Sequence, residues 1–536
     1  MKHLKYLLFL LIFPLIVTNC AKRGTITGGA KDTIPPKILK SIPENFSTEF
    51  NGKEIKIFFD EYIKIKDVNK QLIVSPPLKN TPSITPMGGA SKTISIILND
   101  TLAENTTYSF NFGQSIVDNN EENPFNQFKY VMSTGSHIDS LSIRGTIKDA
   151  RSKKVDNYVT VMLYEAATFA DSTVYKKTPR YITNTLDSLK FYELDNLKAG
   201  SYYLVALKDE NRNNLYEPKL DKIGFFKDPI TIPNDTLYQI ELFKERQATD
   251  FKKPVQLSQN KLNFGTTTPP KGVEVEVHNN GNLLASRLTR VPEKDSLQLW
   301  IPKIKVKNDS LAIKIKKEDV VKTYALKTKE MKTADTMSVQ LNVKELKFNE
   351  PYVFQVNTPV EKINKDLLQV FKADSINIPF KMDFDTFEGR GSIDFEKEEN
   401  QVYVIKALPG AITDFYGSVS DSLQVKLRTK DYASYGNLTL NFTNVSRFPF
   451  MIELIDATEK VLLSSYAVSD ERKTYEFMNI TPNKYTVRIT YDDNKDGEWT
   501  TGDFLQKKQA EEIYYFPMEL DVRANWEVNQ TIDLKQ

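Results

Sequence analysis

The chain has 536 residues, with 72 Lys and Arg against 70 Asp and Glu, a formal charge of +2 and 11 % aromatic residues. A balance this close to neutral gives no long-range pull on nucleic acid or anionic lipid and argues against a role built on either. The length exceeds what one hydrophobic core holds, so several domains are expected, and a lone cysteine excludes an internal disulfide.

Residues 1–19 open with Lys2 and Lys5, continue into an apolar run too short for a comfortable membrane span and stop before Cys20, as a secretory signal does. The end of this run, LIVTNC, resembles the lipobox of bacterial lipoproteins, although Asn19 departs from the small residue usual before the cysteine. That resemblance implies lipidation at Cys20 and anchoring to the outer membrane, on a face the sequence does not specify. Cleavage removes Lys2 and Lys5 and brings the formal charge from +2 to zero. Residues 20–34 read as a polar tether that ends at Pro35 and Pro36.

Beyond the tether, short apolar runs rich in Tyr, Phe and β-branched residues are bounded by Asn, Asp, Gly or Pro. No sustained 3.6-residue period appears, so an all-β fold is expected. Two internal repeats set its order. The segment from Tyr192 lies over that from Tyr475 without a gap, at an offset of 283 residues. Asn196 meets Asn479, Tyr202 meets Tyr485, and Tyr216 meets Trp499. More loosely, Ser115–Ile147 resembles Ala411–Phe442, each with an Asp turn, a strand closing at Thr134 or Thr429, and a new strand through Gly145 or Gly436.

The segment PPKILKSIPENFSTEF, the strand end Phe59-Asp60-Glu61, and Leu102, Thr106 and Tyr108 before a turn at Asp118 resemble the bacterial Ig-like domain of S-layer-protein type. The repeated segments from Tyr192 and Tyr475 resemble the transthyretin-like, carboxypeptidase-regulatory-like β-sandwich. With its lipobox, the chain resembles the Ig-like-domain lipoproteins of Bacteroidetes. These resemblances imply a fold and a location, and no reaction. The expected organisation is a signal peptide (1–19), a tether (20–34), an Ig-like domain (35–135) and a transthyretin-like sandwich (136–249). A β-sandwich of uncertain type (250–345), an Ig-like sandwich (346–431) and a second transthyretin-like sandwich (432–536) follow. They are expected to form an extended string.

Within the repeat, YDDNKDGEWTTGD has the ligand rhythm of a calcium loop, with Asp492, Asn494 and Asp496 at alternate positions, Gly497 sixth and Asp503 twelfth. The first copy offers Asp209, Asn211 and Asn213, but Asn214 replaces the glycine, Leu220 stands twelfth and Asp221 comes one residue late. A structural calcium is one expectation; Asx-rich turns bonding their own backbone are the other.

Only His137 and His278 survive loss of the signal, both placed in linker or turn sequence, and no catalytic motif appears. The acidic run Glu121–Glu122 beside Asp118 reads as a solvated turn. Asp followed by Ser or Thr and then an aliphatic residue, Met or Thr recurs at Thr33, Thr101, Ser140, Ser172, Ser188, Thr236, Ser296, Ser310, Thr336, Ser375 and Ser422. This resembles the general O-glycosylation motif of Bacteroidetes, and it also suits a turn entering a strand. The sum is a non-catalytic lipoprotein that binds or scaffolds an envelope protein, as an accessory of a complex, with neither nucleic acid nor a disulfide-linked partner. A surface carbohydrate-binding lipoprotein and an envelope hydrolase are the alternatives.

Overall fold

The computed structural model describes residues 32–186, 190–292, 294–303, 310–342, 345–373 and 376–535. The signal peptide, Cys20, most of the tether, Ser188 and Ser375 lie outside the described residues. The rest is all-β, as the alternation of buried and exposed side chains along its strands dictates. Five β-sandwich domains follow one another.

In the first domain one sheet runs in the order Ile38–Ile42, Glu54–Ile65, Ser91–Ile97, Ser83–Thr85, with Ile116–Asp118 on the far end of the long second strand. The other sheet holds Ile73–Ser75, Thr107–Asn111 and Lys129–Ser133. Their facing residues, among them Ile55, Ile57, Ile94, Phe110 and Tyr130, form the core. The fourth domain repeats this plan from Val339–Leu341 to Leu423–Arg428, with the long strand split into Tyr352–Val356 and Val360–Ile363. The two share the same corner. Tyr108 Oη accepts from Ala103 N at 2.9 Å and Thr134 Oγ1 from Thr106 N at 3.0 Å. In the fourth domain Tyr403 Oη accepts from Glu398 N at 2.8 Å and Thr429 Oγ1 from Gln401 N at 3.1 Å. The strand Val339–Leu341 pairs with Tyr352–Val356. It therefore belongs to the fourth domain and not to the 250–345 domain where the sequence placed it.

The third domain is two four-stranded antiparallel sheets around Leu262, Val277, Leu299 and Ile313. It meets the fourth through Tyr416, whose hydroxyl donates to Ile301 O at 3.0 Å and Asn260 O at 3.1 Å, and through Arg287–Glu361 and Arg290–Glu388 ion pairs.

The second and fifth domains share one topology. In the second, Leu141–Asp149 lies between antiparallel Phe191–Leu197 and parallel Leu237–Leu242. In the fifth, Gly436–Thr443 lies between antiparallel Thr474–Ile480 and parallel Glu527–Asp533. The facing five-stranded sheets centre on Gly200–Lys208 and Asn483–Tyr491. Period-2 alternation gives each central strand two faces. Tyr202, Leu204 and Ala206 enter the domain core, as do Tyr485, Val487 and Ile489. Val205 and Leu207 turn outward into a second apolar cluster with Met162, Tyr164, Tyr216, Phe225 and Phe243.

That second cluster is completed by Phe504 and Ala510 of the fifth domain. Residues 499–510 leave the fifth domain and dock on the second. Phe504 is 1 % exposed, with its ring edge-on to Phe225 at 5.1 Å. Glu245 joins the two domains, accepting from Phe504 N at 2.6 Å and from the Tyr216 hydroxyl at 2.7 Å. Thr501 donates to Lys244 O at 2.7 Å, Gln509 to Phe225 O at 2.8 Å, and Lys507 pairs with Asp171 at 2.7 Å. A Cβ on Gly502 would fall 2.5 Å from the Phe243 ring, so only glycine permits this approach. Beside it, Ser152 Oγ and Lys153 N both donate to Glu459 Oε1 at 2.9 Å. The expected extended string is thus corrected: the last domain folds back on the second, because an apolar sheet face needs a cover.

Truncating Phe504 to alanine removes a buried ring from this contact, a loss of about 3–5 kcal/mol for an aromatic core residue. Tryptic cleavage after Lys507 and Lys508 should accelerate by roughly a hundredfold to a few thousandfold, since about 1.4 kcal/mol is a factor of ten. Unchanged protection of this loop in the variant would contradict the docking.

Candidate functional site

The two loops predicted from the repeat sit at equivalent places, each following the central strand of a five-stranded sheet. In the fifth domain Asp492 is fully buried. Its carboxylate accepts from Asp496 N at 3.1 Å, Gly497 N at 2.9 Å and the Tyr466 hydroxyl. Burial pushes this carboxyl up, but the Tyr466 hydroxyl and the backbone N–H groups outweigh it and hold the group below the usual aspartate range. Asn494 accepts from Asp496 N at 3.0 Å and donates to Asp496 at 2.9 Å and Thr500 at 2.6 Å. Gly497, at φ +78°, makes the turn.

Asp503 does not join these residues. Its backbone pairs with Lys508 and its carboxylate accepts from Gln506 N at 2.8 Å, inside the segment that docks on the second domain. The four-residue cage read from the sequence is therefore corrected: the chain after Thr500 is drawn away toward Glu245. Glu511 takes the closing place, accepting from Asn494 N at 3.3 Å and Thr500 N at 2.7 Å. Among the described residues, no group of three or more His, Cys, Asp or Glu side chains is arranged to hold a metal ion.

The first loop closes in the same manner with other residues. Asp209 accepts from Arg212 N at 2.6 Å and Asn214 N at 2.7 Å. Asn211 and Asn213 both donate to Glu217, at 2.9 and 2.8 Å. Asp221 accepts from Glu210 N and Glu217 N, which makes it the counterpart of Glu511. Here burial is the dominant influence and raises the Asp209 carboxyl. Asp492 thus carries its negative charge more readily than Asp209.

Sequence reasoning missed Glu511, Glu245 and Phe504. The signal lay where the repeat loses its register: Asp221 follows Asp209 by twelve residues, Glu511 follows Asp492 by nineteen, and the extra length holds Phe504.

The other expected features lie apart from these loops. Asp118 is buried, and its carboxylate takes four backbone N–H groups, from Asn120, Glu121, Glu122 and Asn123. His137 is exposed beside Asp139, whereas His278 stands in the strand Glu274–Asn279 rather than a turn. Of the hydroxyl residues in the Asp-Ser/Thr motif, Thr33, Thr101, Ser140, Ser172, Thr236, Ser310, Thr336 and Ser422 are exposed and Ser296 is half-buried. Ser140, Thr236 and Ser422 immediately precede strands, while Ser296 and Ser310 begin them. A cleft of about 680 Å³ separates the first and second domains, with Lys70 and Met87 on one side and Ile182, Lys208 and Arg212 on the other.

Residues 32–134 match the family model described as bacterial Ig-like domain, which coincides with the first sandwich. No curated protein matches the chain. Among solved structures, the S-layer protein rSbsC is 12 % identical over 91 % of this chain and 67 % of its own, with a TM-score of 0.15. A Bacteroides ovatus protein, SGBP-B of a mixed-linkage glucan utilization locus in complex with a mixed-linkage heptasaccharide, is 10 % identical over 71 % and 94 %, with a TM-score of 0.19. The BSP domain of a biofilm-associated protein is 8 % identical over 89 % and 97 %, with a TM-score of 0.16. Scores this low carry no argument about what this chain does.

Proposed function

We propose that the chain is a non-catalytic outer-membrane lipoprotein, anchored through Cys20, that binds or scaffolds another envelope protein as an accessory of its complex. The observation that carries this reading is one sheet edge. The strand Val461–Ala467 is the outermost strand of its sheet. Its sequence, VLLSSYA, contains no charge, proline or glycine, the usual protections of a free edge. Val461, Leu462 and Tyr466 are exposed along it, with Val468 just beyond. An edge of this kind accepts an extended segment of a partner by strand addition. The match of the first domain to bacterial Ig-like domains supports the same class of role.

The test uses the lipidated chain from its native envelope in mild detergent. The wild type should bring down one envelope protein in fixed ratio, and Leu462→Lys with Ser464→Lys should lose it while Met518→Lys retains it. Cys20→Ala should move the chain to the soluble fraction. A partner that stays with the edge variant, or a Cys20→Ala chain that stays in the membrane without a partner, would overturn the reading.

We also propose a structural calcium at Asp492, Asn494 and Asp496, with the Asp209, Asn211 and Asn213 loop the weaker. It is supported by three oxygen-bearing side chains in one turn, whose backbone N–H groups and the Tyr466 hydroxyl hold the Asp492 carboxyl below the usual aspartate range. Exported sites of this kind bind at about 10⁻⁴–10⁻³ M, so millimolar calcium would stabilise the fifth domain by about 1.4 kcal/mol at the tighter end. A rise of a few degrees in its melting transition, lost in Asp496→Ala, is the expected result, and an unchanged transition would discard the site.

A further inference from the structure

The two copies of the repeated domain differ most on the outer face of the five-stranded sheet. In the second domain this face is apolar. Met162 lies opposite Val205, both are buried, and Phe504 packs over this cluster. In the fifth domain the equivalent pair is Glu453 opposite Arg488. Arg488 is 4 % exposed and grips Glu453 in a two-point fork, Nε to Oε2 at 2.7 Å and Nη2 to Oε1 at 3.0 Å. Thr490, 1 % exposed, adds a third donor to Glu453 at 3.0 Å, where the second domain has Leu207.

In the second domain the same position carries an apolar pair beneath the Phe504 cover. A buried ion pair at such a place is often no better for stability than packed hydrophobic residues, so its presence calls for another reason. Among the described residues, no side chain equivalent to Phe504 fills the face in the fifth domain. A cavity of about 270 Å³ stands there instead, walled by Glu453, Arg488 and Thr490 below and by Trp499 and Arg151 at the side. Arg151 belongs to the second domain and its guanidinium lies 5.2 Å from the Trp499 ring, so the docking of the two domains completes the wall.

We infer that this cavity binds a single ring of a neutral saccharide. Its volume falls just below the roughly 300–1,000 Å³ of small-molecule sites, which suits a ligand of that size. Arg151 and Arg488 balance Glu453 and Glu498 around it, so a ligand with net charge finds no matching field. Arg488 and Glu453 engage each other in the fork, and what remains for the vicinal hydroxyls of a ring is the rest of their donor and acceptor capacity together with the Thr490 oxygen. Met451 and Trp499 supply the apolar surface that the C–H face of a sugar ring packs against. This inference stands independently of the partner at the Val461–Ala467 edge.

The test uses the full mature chain carrying Cys20→Ala, with glucose, galactose, mannose and N-acetylglucosamine at millimolar concentration and acetate and phosphate as anionic controls. Saturation-transfer NMR should show ring protons of at least one sugar receiving magnetisation, with a change in Trp499 emission. Glu453→Met with Arg488→Val installs the pair that the second domain already uses, so the variant should melt at the wild-type temperature and lose sugar binding at least tenfold. Thr490→Val, which keeps the shape and removes the hydroxyl, should weaken binding several-fold and serves if the double variant does not fold. No transfer to any of the four sugars, unchanged binding in the variants, or a response to acetate or phosphate in place of sugar would each overturn the inference.

Discussion

The structure depends on one contact, the insertion of Phe504 into the outer face of the second domain with Glu245 holding its backbone. That face contains Met162, Val205, Phe225 and Phe243, all buried. Left open it would expose a contiguous apolar patch of the kind that drives association. Covering it from within the same chain avoids the cost of association between separate molecules. It also joins domains some 280 residues apart in sequence. The Tyr216 hydroxyl, pushed up by its burial and by the Glu245 carboxylate, stays protonated and continues to donate to that carboxylate.

The contact also explains how two copies of one fold came to differ. The second domain supplies a socket and the fifth supplies a plug. The plug occupies the extra residues of a loop whose first half keeps the hydrogen-bonded turn common to both copies. Once the loop serves as plug, its later acidic residue is no longer available to the turn, and Glu511 closes it instead. The fifth domain's own outer face is then free of that duty, and it carries a buried ion pair and a cavity.

Much of this was legible in the sequence. Period-2 alternation and turn residues gave the all-β class, because each strand has one buried face. The ungapped stretch from Tyr192 over Tyr475 became two domains of one topology. Thr134 and Thr429 became matching corners, because a strand end needs its N–H groups satisfied whatever the rest of the sequence does. The calcium rhythm was legible only in part: Asp492, Asn494 and Asp496 meet in one turn, but Asp503 lies in the plug. Its place was set by a contact 259 residues away, from the neighbouring Phe504 N to Glu245, which no local spacing encodes. The strand Val339–Leu341 was assigned to the wrong domain for the same reason, since pairing across a boundary leaves no mark in the pattern of one strand.

Zero-length carbodiimide cross-linking tests the folding-back most directly, because it joins only amines and carboxylates already in contact. In dilute mature protein, Lys507 should couple to Asp171 within one chain, at a yield similar to that of Lys222 with Asp156 inside the second domain. A digest that contains the Lys222–Asp156 link and lacks the Lys507–Asp171 link would show that the fifth domain does not rest on the second, and the account would fail with it.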